Sequence, residues 1–314
     1  MNVEALISER LELALTRLDL DPSYRDMLLS VGHGYLKAQI EHYKVCMPPI
    51  HIPFLCCEAN NEDPRRAVGV AAAWFLLQVA AHLLDKVEDQ ELELIGLPLR
   101  NQGVSTNLST GLIFVAEWIL NHLELDCVDP GAAWDIQRAF QETVLSVCSG
   151  QHLDLSLTSP DLPTCWKIAE AKSGSAFALA CYVGTRVATS NSRQLDSLEN
   201  FGRHLGTIVQ ISDDLKDLEH DLTCSNRETV FSPLVGAFLS HVGEKVHETV
   251  QVQLLRTPTN DLARNSLVLY LRLEAMKYAE LARKEINAIA LAQGPKDGIL
   301  AILHHLSWLG VTAN

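Results

Sequence analysis

Apolar residues recur along this chain at helical spacing, and two long apolar runs end in acids. AVGVAAAWFLLQVAAHLL, residues 67 to 84, is followed at once by Asp85-Lys86-Val87-Glu88-Asp89, and FGRHLGTIVQIS by Asp213-Asp214-Leu215-Lys216-Asp217. The periodicity predicts helices over 2–17, 23–45, 64–93, 107–122, 132–157, 164–189, 192–221, 228–255 and 260–291. Pro64 suits a first helical turn, Pro98, Pro130, Pro160 and Pro163 mark loops, and Ser, Thr, Asp or Asn precede several starts as caps. No period-two strand emerges. Met47 to Pro53, MPPIHIP, reads as an extended connector because consecutive prolines oppose helix. The pattern predicts an all-α protein. With no low-complexity tract or short repeat, it predicts a single domain over residues 1–314.

The run from Ala67 to Leu84 is nearly long enough to span a bilayer. Gln78 and His82 inside it, its many alanines and the acids that follow argue instead for a central helix surrounded by others, with no transmembrane segment. A chain of 314 residues that is 47% hydrophobic and 20% charged can bury a large core. Its eight cysteines include no CxxC pairing and sit mostly in apolar stretches, as reduced thiols do. The first residues carry acids where a secretory signal needs basic ones. These features predict a cytoplasmic location.

Residues four apart share a helix face, so Asp85 with Asp89, and Asp213 with Asp217, each place two carboxylates side by side. If both runs are helices, they aim their acids at a common space. Like charges so close repel, and a divalent cation offsets that cost. All-oxygen sites suit Mg²⁺, which keeps several waters, takes one or two carboxylates and shares its other positions with phosphate oxygens. With 39 acids against 25 Lys and Arg, the chain has a net charge of −14 and lacks the basic footprint of a nucleic-acid surface. A bound phosphate group therefore needs metal, and the expected ligand is a diphosphate.

The stretch Gly206-Thr207-Ile208-Val209-Gln210-Ile211-Ser212-Asp213-Asp214-Leu215-Lys216-Asp217 resembles the second aspartate-rich motif of the trans-isoprenyl diphosphate synthase family, including the Gln before the Asp pair. Asp85 to Asp89 resembles the first such motif, with Lys86 replacing its second Asp. Gly150-Gln151-His152-Leu153-Asp154-Leu155 is similar to the family's Gly-Gln-x-x-Asp-Leu helix, and Lys172-Ser173-Gly174-Ser175 to its Lys-Thr-Gly element. The four occur in family order over roughly residues 40 to 290. The resemblance implies the class I isoprenoid synthase fold: an all-α bundle around a deep apolar cavity whose mouth holds three Mg²⁺ and an allylic isoprenyl diphosphate. It also implies a homodimer.

On this resemblance Asp85, Asp89, Asp213 and Asp217 are the expected catalytic metal ligands, with Asp214 accepting hydrogen bonds or binding through water. Glu88 either ligates or is a solvated surface acid. Lys172 is read as a diphosphate contact, the alternative being a lysine that snorkels to the surface. Gln210 and Gln151 orient waters or ligands, or are satisfied core amides. Asp154 supports Lys172 or the metals, or is structural. Leu77, Gln78, Ala80 and Ala81 lie one to two turns before Asp85 as the expected cavity lining, and the small alanines leave room for a C15 or C20 tail. The chemistry is consistent: metal neutralises the departing pyrophosphate, and a dry apolar cavity keeps water from the carbocation.

Departures from the family shape the expected reaction. Chain-elongating members carry Gly-Gly-Lys-Arg-x-Arg-Pro where this chain has Met47-Pro48-Pro49-Ile50-His51-Ile52-Pro53, which contains no Lys or Arg. The Arg-Arg pair expected after the first motif is absent from Gln90 to Pro98, and the later Lys from His220 to Asn226. A site for isopentenyl diphosphate is thus largely dismantled while the ionisation site is kept. The leading expectation is a terpene synthase acting on one allylic substrate. The alternatives are prenyl transfer, either to isopentenyl diphosphate or to a peptide or aromatic acceptor, and a noncatalytic partner subunit. The Asp-x-x-Glu-Asp, Gly-Gln-His and Gly-Ser-x-x-Ala-Leu-Ala patterns also resemble the transferase that modifies a tryptophan of bacterial competence pheromones.

Overall fold

The computed structural model describes residues 1–43, 47–89, 101–157, 161–223, 237–238 and 261–309, with the side chains at 217–223, 261–264 and 308–309 outside the description. Among the described residues there is no strand, and the all-α expectation holds. The helices are α1 (Val3–Arg17), α2 (Pro22–His42), α3 (Ile52–Ala59), α4 (Val68–Glu88), α5 (Gln102–Leu120) and α6 (Pro130–Ser156). They continue with α7 (Leu162–Ala169), α8 (Ser175–Arg186), α9 (Ser192–Thr223), α10 (Asp261–Asn287) and α11 (Gln293–Leu309). Capping follows the sequence signals. The side chain of Asn2 accepts from the Ala5 N–H, Asp21 from Ser23 and Tyr24, Asn101 from Gly103 and Val104, and Asp161 from Thr164.

Several boundaries differ from expectation. Met47 to Pro53 is not an extended connector: Pro49–His51 forms a 3₁₀ turn and α3 starts at Ile52. Both Pro49 and Pro53 occupy first-turn positions, where a missing N–H is harmless and the fixed φ is already helical. The single helix expected over 164–189 is two helices joined by a π turn, Glu170–Gly174. Helix α11 lies beyond the last helix expected, which ended at residue 291. Pro295 lies in its first turn, and Gly298 lets it pack on Leu55, whose Cδ2 would lie 3.0 Å from an added Cβ. The helix expected over 228–255 and the segment Gln90 to Pro98 lie outside the described residues, apart from 237–238.

The chain divides into two compact units. The first comprises Met1–Gln141, Leu179–Leu198 and Ala290–Ile302, and the second Glu142–Ala178, Glu199–Ile289 and Leu303–Asn314. In the first, α4 packs against α1, α2, α3 and α5, burying Trp74, Phe75, Leu76 and Leu83 completely or nearly so. Two stretches, Pro64–Glu88 and Gln102–Leu120, are long and apolar enough by length and composition to cross a membrane, and most of the first is buried within the fold. A buried ion pair fastens the start of α4: Arg10 Nη1 donates to Asp126 Oδ2 at 2.7 Å, and Gly69 leaves room for that carboxylate. In the second unit, Cys165, Ile211, Leu215, Leu267 and Leu271 form an apolar core. Beside it Trp166 Nε1 donates to the Tyr270 hydroxyl at 3.1 Å.

Candidate active site

In the second unit, α9 carries a stripe at four-residue spacing: Gly202, Gly206, Gln210 and Asp214. The two glycines bring α9 against the backbone of the π turn and the start of α8. A Cβ on Gly206 would sit 2.6 Å from the Ser173 carbonyl carbon and 2.8 Å from Gly174 Cα, and one on Gly202 would sit 2.8 Å from Ala178 Cα. This approach sets Ser173 beside Gln210, whose Oε1 accepts from the Ser173 hydroxyl at 2.8 Å. Gln210 Nε2 in turn donates to Asp214 Oδ1 at 3.4 Å. Asp214 is 5% exposed, whereas Asp213, one position round the helix, faces solvent and pairs with Lys216 at 2.9 Å. The acid pair is therefore split into an inward carboxylate that accepts from Gln210 and an outward, solvent-facing one paired with Lys216. Asp217 continues the Asp213 face of α9 by position, and its side chain lies outside the described residues.

Lys172, also in the π turn, pairs with Asp154 on α6 at 2.7 Å, both half-buried. Gly150 makes this possible, since a Cβ there would crowd Ala171 Cβ at 2.9 Å and the Lys172 backbone N at 3.2 Å. The ion pair with Lys172 is compatible both with an Asp154 that supports this lysine and with a structural acid. Gln151 is half-buried on α6. Burial, and then the charges of Asp214, Asp154 and Asp161, push the Cys165 thiol up to about 12, so the core cysteine nearest these acids stays protonated.

In the first unit, Asp85 lies half-buried in the last turn of α4, and Glu88 and Asp89 follow, exposed, where the helix ends. Gln78 and Ala81 are partly accessible, and each lies seven or four residues before Asp85 on its face. Ala80 and Leu77 are instead packed into the core at 0% and 6% exposure. Acids at a helix C-terminus oppose the macrodipole. A like-charged group placed there is poorly explained by stability.

The donor set fits a hard divalent ion. Among the described residues, no three His, Cys, Asp or Glu side chains form a group that could hold a metal ion by themselves. Mg²⁺ takes only one or two carboxylates where phosphate oxygens complete its shell. Ser173 and Gly206, which build this hydrogen-bond relay through Gln210, were not among the residues singled out for function from sequence. The Lys-Thr-Gly-like element contained Ser173, but its partner lies 37 positions away.

The family model described as polyprenyl synthetase matches residues 51–229, more than half of the chain. The chain belongs to the polyprenyl synthetase family. The match spans α3 through α9 and takes in both acid clusters, Lys172 and Gln210. Among relatives, a (2E,6E)-farnesyl diphosphate synthase of Mycobacterium bovis is 29% identical over 171 residues, 52% of this chain and 46% of that protein. The tryptophan prenyltransferase ComQ of Bacillus subtilis subsp. natto is 26% identical over 143 residues, 44% of this chain and 41% of its own length. The chain thus spans about half the length of the curated relatives it matches. A geranylgeranyl pyrophosphate synthetase from Geoglobus acetivorans shares its fold, with a TM-score of 0.76 at 18% identity over 96% of this chain and 97% of that one.

Proposed function

We propose that this protein is a prenyltransferase that ionises an allylic isoprenyl diphosphate and passes the prenyl group to an acceptor carbon. The carbon–oxygen bond to diphosphate breaks, pyrophosphate leaves, a carbon–carbon bond forms and the acceptor loses a proton. The observation that carries this reading is the family match across both acid clusters, supported by relatives named as a farnesyl diphosphate synthase and a tryptophan prenyltransferase. The emphasis thereby moves from the single-substrate terpene synthase expected from sequence to that expectation's prenyl-transfer alternative. Bound Mg²⁺, three ions on the family resemblance, would neutralise charge on the departing oxygens. Asp85, Asp89, Asp213 and Asp217 would hold it, with Glu88 and Asp214 beside them. Lys172 would meet the diphosphate, and Gln210, Gln151 and Asp154 would fix the ligands around it. A homodimer and a cytoplasmic location belong to the same proposal.

One observation favours the terpene synthase as a second reading. Where elongating members carry Lys and Arg, Ile50 and Ile52 are 0% and 1% exposed, and burial pulls the half-buried His51 below its ordinary pKa. Arg65 and Arg66 nearby are already engaged, by Asp63 and by Glu62 and the Cys127 carbonyl. A second diphosphate beside such a segment has little to offset its desolvation.

The test is incubation with Mg²⁺ and geranyl, farnesyl or geranylgeranyl diphosphate, with isopentenyl diphosphate, a tryptophan-containing peptide or no acceptor, followed by mass analysis. Prenyl transfer predicts a diphosphate longer by five carbons or a prenylated peptide. Hydrocarbon or alcohol regardless of acceptor would establish the terpene synthase, and no pyrophosphate from any donor would leave a noncatalytic subunit.

The accessible face of α4 makes a further expectation. Bulk at Ala81 would shorten a tail lying against Gln78 and Ala81, so Ala81→Phe should shift preference from farnesyl toward geranyl diphosphate by about tenfold. An unchanged donor profile would place the tail elsewhere.

A further inference from the structure

His204 lies half-buried on α9, its ring centre 5.8 Å from that of Tyr278 on α10. Its Nδ1 is buried and has no hydrogen-bond partner among the described residues. A neutral imidazole tolerates this, because one of its nitrogens carries no hydrogen. An imidazolium does not, since both of its nitrogens must donate. Burial accordingly pulls His204 below the ordinary histidine range, and Arg203 beside it on α9 adds to that pull. Two carboxylates oppose it from different elements, Glu285 on α10 and then Glu170 on the π turn. Glu285 is fixed on a helix of 27 residues, whereas Glu170 opens the five-residue π turn that presents Lys172 to Asp154. Of the two acids, Glu170 is therefore the one on an element short enough to re-form around a new charge.

We propose that His204 is a proton-operated switch: on protonation its ring recruits Glu170, the π turn shifts with that carboxylate, and Lys172 leaves the position in which it meets a diphosphate. The last step rests on the prenyltransferase reading, which gives Lys172 that contact. Diphosphate is then held at neutral pH and released on the acid side. Stability moves the same way, because an imidazole that is harder to protonate folded than unfolded leaves the unfolded chain binding more protons. Stability is complete above the ordinary histidine value of 6.5 and falls as pH drops below it.

The full chain is tested as wild type, His204→Asn, Glu170→Gln and Glu285→Gln between about pH 7.5 and 5.5, the range in which histidine changes charge. In the wild type, the imidazole NMR signal that His204→Asn lacks should titrate below 6.5. Calorimetry with Mg²⁺ and inorganic pyrophosphate should show wild-type affinity falling about tenfold further than that of His204→Asn, the equivalent of one unit of coupled pKa shift. The protonation of pyrophosphate itself cancels in that comparison. Glu170→Gln should behave as His204→Asn does. Glu285→Gln should move the loss to lower pH without abolishing it, since it removes a charge that favours the imidazolium. The same acid-side loss of pyrophosphate in a wild type that turns over no donor would support the switch while removing the prenyltransferase reading. A His204 ring that titrates at or above 6.5, an equal pH dependence in wild type and His204→Asn, or a loss that survives Glu170→Gln would each overturn the proposal.

Discussion

Asp85→Asn and Asp213→Asn are each expected to lower pyrophosphate release by about a hundredfold or more while leaving the helical fold intact. The structure separates the two effects. Asp213 is exposed and its pair with Lys216 lies at the surface, where such pairs contribute about 0–1 kcal/mol, so losing it costs little stability. Asp85 stands in the last turn of α4, near the negative end of the helix dipole and one turn from Asp89. Asp85→Asn removes a charge that opposes this dipole and should unfold at about the same temperature as wild type. Activity lost at unchanged stability would mark Asp85 as an acid kept for a ligand. Circular dichroism and thermal unfolding supply one half of the measurement, and Mg²⁺-dependent pyrophosphate release the other. Full turnover in either variant, or turnover that survives EDTA, would remove the carboxylates from the reaction.

The elements that carry these acids were legible because their signals are local. An apolar run at helical spacing, closed by acids, specifies both the helix and the end at which its charges gather, and α4 and α9 follow it. What escaped depends on contacts between distant segments. Pro49 and Pro53 look like extended chain until their positions in first turns are seen. Likewise spacing puts Asp213 with Asp217 on one helix face, but that Asp214 is the buried acid follows from the packing of the stripe through Gly206. The relay joins Ser173 to Gln210 through a backbone approach that no spacing encodes. The choice of reaction was harder still, because the missing basic residues around Met47 to Pro53 speak to an acceptor, whereas the family match speaks to the donor site.

Gly206→Ala should be the most damaging single-methyl change in the second unit. Alanine favours a helix over glycine by about 1 kcal/mol, so on propensity alone the substitution would stabilise α9. Its Cβ, however, would lie 2.6 Å from the Ser173 carbonyl carbon and 2.8 Å from Gly174 Cα. These are backbone atoms inside a π turn, and they cannot turn aside as a side-chain tip can. Overfilling of this kind costs roughly 3 kcal/mol, so the clash outweighs the helix gain and leaves a net loss of about 2 kcal/mol. Moving the π turn off α9 also separates Ser173 from Gln210 and shifts Lys172, so activity should fall by about tenfold or more even where the protein remains folded. Gly294→Ala is the control: an added Cβ there meets nothing within 4 Å, and the change should be neutral or stabilising by a few tenths of a kcal/mol. Urea unfolding of the two variants beside wild type decides the matter. Equal midpoints for Gly206→Ala and wild type would mean that α9 does not depend on this close approach, and the geometry of the relay would have to be set elsewhere.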